Sequence, residues 1–143
     1  MDRTRASDLA NDWVARHANV EAPSPAARAG IVRMLEQRVP EPDAAAAILD
    51  ADGRRQVVVL AAGALYLVWA VPGSAGTPEA ARCRRIPLSR AEVELSERID
   101  AGTPVRHWWF ELPGDPLVFR VLDPKDEVLA QQLAAALGWP SLG

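Results

Sequence analysis

Residues 57–71 form the longest apolar run of the chain, broken once by Gly63, and they restrict its fold more than any other feature. A helix that crosses a bilayer needs about 20 apolar residues in succession. This run is shorter, holds Gly63 and Tyr66 inside it, and is preceded by Arg54 and Arg55. It reads instead as two β-branched and aromatic strands, over 56–61 and 64–71, separated near Ala62-Gly63. In the second of them Leu65, Leu67, Trp69 and Val71 alternate with Tyr66, Val68 and Ala70, so both faces are apolar. Strands of that kind have to be covered on both sides. An opposing sheet is expected on one side, and the helices that precede the run are candidates for the other.

Those helices are announced by their punctuation. Ser7 or Asp8 can cap a helix over about 7–18 by accepting from its first free N–H groups, and Leu9 and Trp13, with His17 or Val20, then share a face. Ser24-Pro25 supplies a capping hydroxyl followed by a proline suited to the first helical position, which predicts a second helix over about 25–38. Its stripe is Ala27, Ile31, Met34 or Leu35, and Arg38 or Val39, and Pro40 and Pro42 end it. The alanines at 44–47 favour helix by propensity, but they lead through Ile48 into Asp52-Gly53, a tight-turn signal, so a strand and a hairpin are expected there. Residues 72–80, with two Gly and two Pro, read as an exposed loop.

Short strands follow over about 82–88, 92–97, 105–112 and 117–122. In the second of these Val93 and Leu95 alternate with Glu92, Glu94 and Ser96. The chain then closes with a helix: Asp123-Pro124 starts it, Leu129, Leu133, Ala136 and Leu137 form its core stripe, and Gly138 ends it. The expected architecture is α+β: a strongly bent antiparallel sheet or small barrel of about seven strands, capped by a C-terminal helix and preceded by an N-terminal helical pair. Residues 1–42 form the helical extension and 43–143 the β domain.

Much chemistry is excluded by inventory. The chain has 143 residues, 49% hydrophobic and 24% charged, with a net charge of -3, which suits an ordinary soluble domain and opposes binding to a phosphate backbone. Nucleic acid is therefore not an expected partner. The single cysteine, Cys83, allows neither an internal disulfide nor a thiolate metal cage, and it fits a reducing cytoplasm. His17 and His107 stand far apart without a ligand at metal-binding spacing, so no metal is expected. Gly73-Ser74-Ala75-Gly76 lacks the Gly-Lys-Ser/Thr ending of a phosphate loop, and no nucleophile elbow occurs, so no cofactor is expected either. The first residues, charged and without an apolar stretch behind them, do not read as a signal peptide.

The order of elements resembles the pleckstrin-homology-like family, including its bacterial PH-like and GRAM-type members, over about residues 44–140. Residues 57–68 look like that family's second hairpin, Arg85-Ile86-Pro87-Leu88-Ser89-Arg90 like its "I-P-L-S" strand, and residues 116–139 like its last strand and capping helix. Trp139 falls just past the helix in which the family often places a tryptophan, and residues 1–42 have no counterpart in it. The resemblance implies a PH-like barrel that acts through its surface.

Two surface features follow as candidates. His107-Trp108-Trp109-Phe110 is the densest aromatic tract: on a strand, Trp108 and Phe110 share one face and His107 and Trp109 the other, so one large aromatic leaves the interior. Trp108, Trp109 and Phe110 are therefore the candidate partner-binding residues, unless the N-terminal helices cover the outer one. Arg54, Arg55 and Arg84, from two arginine clusters, are candidate anion-binding residues, because the resembled family grips phosphoinositides with basic residues near its first hairpin and arginine has a bidentate fork. Nearby Asp50, Asp52, Glu79, Glu92 and Glu94 offset that charge. The function expected is a noncatalytic protein-interaction module, self-association included. A sensor of anionic lipid headgroups or small ligands, touching a membrane only peripherally, is the alternative. A small enzyme using Cys83 as nucleophile and His107 as base is a third reading, less favoured because a lone cysteine in a strand is usually a small apolar residue.

Overall fold

In the computed structural model, residues 1–16, 23–49, 54–71, 73, 80–112, 117–120 and 124–139 are described, the second of its two sheets mainly by its backbone. Helix α1 (Arg3–Ala15) starts four residues before the expected position, because Asp2 rather than Ser7 or Asp8 is the cap. The Asp2 carboxylate accepts from the backbone N–H groups of Thr4 and Arg5, at 2.8 and 3.2 Å. Capping there adds a turn that buries Ala6 beside Leu9, Ala10 and Trp13. Helix α2 (Pro25–Arg38) has the expected limits, with Ser24 Oγ accepting from Ala27 N at 3.0 Å. Ala27, Ile31, Val32 and Leu35 are its buried face.

Four strands follow as an antiparallel meander: β1 (Ala44–Leu49), β2 (Arg55–Ala61), β3 (Ala64–Val71) and β4 (Ala80–Pro87), in that spatial order. The alanines of β1 are strand because Ala44 to Ala47 pair with Leu60 to Val57, and that pairing outweighs their helical propensity. β2 and β3 are joined by Ala62 and Gly63, both with positive φ, in the two-residue turn geometry that fits the twist of a hairpin. A 3-10 turn, Leu88–Arg90, leads into a second antiparallel ladder of β5 (Glu92–Asp100), β6 (Thr103–Glu111) and β7 (Leu117–Arg120). Helix α3 (Pro124–Ala136) ends the fold. Among the described residues the first sheet is open, with β1 and β4 at its edges, and the strands form two separate ladders rather than one continuous sheet.

The alternation read in residues 57–71 sorts cleanly into two cores. Val57, Val59, Ala61, Ala64, Tyr66 and Val68 pack with Ala47 against α1 and α2. Val58, Leu60, Leu65 and Leu67 pack with Ile48 and Ile86 against Leu129, Ala130, Leu133 and Ala134 of α3. The helical pair is thus the cover of one sheet face and α3 part of the cover of the other. Fully burying each Leu, Ile or Val contributes roughly 1.5–3 kcal/mol, and Ile31, Leu35, Ile48, Leu65, Leu129 and Leu133 are all essentially inaccessible. Gly30 faces β4, and a β-carbon there would stand 3.4 Å from that of Ala81, within contact distance and without a clash. Helix α3 closes with the paired bonds of a Schellman motif, Trp139 N to Ala134 O and Gly138 N to Ala135 O, and Gly138 takes a φ of 94°.

Among the described residues no helix is long and apolar enough to cross a membrane. The expected loop over 72–80, the Asp52-Gly53 turn and His17 lie outside the described residues, apart from Gly73 and Ala80.

Candidate functional site

The three arginines proposed as an anion site fall on two faces. Strand parity puts Arg55 on the side of the helical pair, where its Nε donates to the Arg16 carbonyl at 3.0 Å. It ties the first residue of β2 to the end of α1. Arg54 lies on the other side, its guanidinium carbon 5.7 Å from the centre of the Trp69 ring. That ring packs against the core shared with α3, and Trp69 pairs across the ladder with Arg82 while Leu67 pairs with Arg84. Directly opposed residues share a face. Arg54, Arg82 and Arg84 therefore gather around Trp69 at one end of the first sheet, with buried Gln56 on the same face.

The sequence alone points to Arg55 rather than Arg82 and does not connect Trp69 with the arginines. The signal was present in the period of two, because Trp69 and Leu67 share parity with Leu65. What it lacked was the β3–β4 register. Chemically the group can hold an anion, since guanidinium groups donate in a planar fork and the indole face holds one of them in place by cation–π attraction.

The aromatic tract lies in β6, the central strand of the second ladder. Its register gives the two faces different compositions. Trp108 is opposite Leu95 and Phe119, and Phe110 is opposite Val93 and Leu117, so one face carries only apolar residues at these positions. Trp109 is opposite Glu94 and Val118, and His107 is opposite Ser96 and Arg120. Glu92 and Glu94, on that second face, are exposed. Of the candidate partner-binding residues, Trp109 thus shares a face with Glu92 and Glu94, whereas Trp108 and Phe110 share an apolar stretch that ends at the Arg106–Glu97 pair. The helical pair builds its core with the first sheet.

Cys83 lies in β4, half-buried beside the core of the helical pair, and burial pushes its thiol up from its ordinary value. A thiol shifted in that direction is a poorer source of thiolate at neutral pH. His107 belongs to the other ladder. On the same side of β4, Arg85 Nε donates to the Tyr66 hydroxyl at 3.3 Å. Among the described residues no three His, Cys, Asp or Glu side chains are grouped to hold a metal ion.

Comparison with known proteins found no matching family model, no matching curated protein and no matching solved structure.

Proposed function

We propose that this chain is a noncatalytic protein-interaction module, in which the two ladders close into a PH-like barrel plugged by α3 and the partner meets the outer face of β6. The reading is carried by the register of the second ladder, in which Trp109 stands opposite exposed Glu94 while Trp108 and Phe110 stand opposite Val93, Leu95, Leu117 and Phe119. That face carries a continuous apolar stretch around Trp108 and Phe110, bounded by the Arg106–Glu97 pair, and such a stretch is the part of the ladder suited to burial. The large aromatic on the other face then supplies the kind of anchor that dominates protein interfaces. The four-plus-three strand order followed by a helix supports the barrel, which predicts that cross-links between β1 and the second ladder form without disturbing the fold.

The experiment is photo-crosslinking in cells with a photoreactive phenylalanine analogue at position 109. A discrete adduct at 109, absent when the analogue replaces exposed Arg3 of α1, is expected. Failure of position 109 to yield any adduct in a folded chain contradicts the reading.

A second reading rests on the gathering of Arg54, Arg82 and Arg84 around Trp69: a sensor of anionic headgroups or small anions. Vesicles containing anionic lipid would then retain the protein at low salt and release it as salt rises. No retention at low ionic strength removes this alternative.

A further inference from the structure

Strand β4 is the last strand of its sheet. It pairs with β3 along its whole length, and among the described residues nothing pairs with its outer edge. Such an edge presents a row of main-chain N–H and C=O groups, a template for another strand. Here the edge is also basic. Arg82, Arg84 and Arg85 lie on it and Arg90 closes the turn that follows. Helix α2 stands behind it with Gly30 against Ala81, and exposed Arg33 lies one turn further along that helix. In a chain of net charge -3 the strand itself carries three arginines and no acid, and the nearest acids, Glu79, Glu92 and Glu94, flank it in sequence rather than lie on it.

That charge decides between partners. Pairing of β4 with β4 of a second copy sets arginines among arginines, and like charges opposed across a ladder are destabilising. An acidic strand meets the same arginines favourably. We propose that β4 accepts an extended segment of another protein, bearing Glu or Asp at alternate positions, as a fifth strand of the first sheet. Main-chain hydrogen bonds supply the affinity, and the acids on one face of the added strand meet exposed Arg82. Arg85 points to the other face, where it bonds Tyr66, and takes little part in the choice. The inference does not depend on the aromatic face of β6; it requires that closure of the barrel run through β1 and leave the outer edge of β4 open.

The test is an amide exchange and chemical-shift titration of the full chain with a synthetic peptide of alternating glutamate and threonine. The expected result is slowed exchange at alternate amides of β4, with shifts concentrated in residues 80–87. A peptide of the same composition interrupted by prolines, which cannot complete a ladder, is expected to lose at least about tenfold in affinity. Arg82→Glu is expected to weaken the glutamate peptide by a similar factor and to strengthen a lysine–threonine one. Arg82 is exposed, so this change should leave the fold intact, and the proline comparison needs no variant at all. Equal binding of the interrupted peptide, as a loosely held polyanion or free phosphate would bind, overturns the proposal. So do shifts centred away from β4, or no binding.

Discussion

Ala62 has a φ of 50°, a conformation in which its β-carbon crowds the following carbonyl oxygen, and it closes the β2–β3 hairpin in that form. Glycine lacks that crowding. Ala62→Gly is therefore expected to raise stability by about 1 kcal/mol, offset in part by the greater freedom of the unfolded chain, as read by chemical denaturation. An unchanged or lowered midpoint would show that the turn is not strained.

Cys83 gives the residue-scale prediction with a pH dependence. Burial favours its neutral thiol, so any contribution to stability is complete below the thiol's unfolded pKa and is lost as pH rises through the higher folded value. Alkylation of the folded protein should run slower than that of a free thiol and accelerate only at more alkaline pH than the unfolded chain requires. Alkylation as fast as a model thiol at neutral pH would contradict the placement of Cys83 beside the helical core.

At the scale of elements, the approach of α2 to β4 through Gly30 carries its own test. The β-carbon of an alanine there would meet Ala81 at 3.4 Å, an ordinary contact, and alanine favours a helix over glycine. Gly30→Ala is expected to stabilise the fold by about 0.5–1 kcal/mol in thermal or denaturant unfolding. A loss of stability would mean that α2 and β4 are packed more closely than that distance implies.

The elements also show where sequence reasoning reaches and where it stops. Helix α2 was legible to the residue because Ser24-Pro25 and Pro40 bracket it with chemistry that acts locally. Helix α1 was not, since Asp2 and Ser7 are both good caps and the deciding gain, burial of Ala6, is tertiary. The alanines of β1 were ambiguous for the same reason. The two-sided burial of residues 57–71 was legible from alternation alone, because period two survives any choice of partner. The anion candidates were not, because Arg55 finds its acceptor at Arg16, 39 positions away, and no local pattern announces such a contact. Alternation separated Trp109 from Trp108, yet only the β5–β6 register told which of them shares a face with Glu94.

At the scale of the molecule, β1–β3 of the first sheet are largely buried between α1 and α2 on one side and α3 on the other, while β4 at the edge is more exposed. Two surfaces differ in charge: the face of the second ladder that holds Glu92, Glu94 and Trp109, and the arginine-bearing edge of β4. The central claim is that β6 divides its tryptophans between core and surface, and equilibrium unfolding of two single variants tests it most directly. Trp108→Ala is predicted to cost about 3 kcal/mol or more, as removal of a buried indole does, and Trp109→Ala less than about 1 kcal/mol. Equal losses, or a larger loss at Trp109, would contradict the assignment and remove the aromatic anchor from the surface.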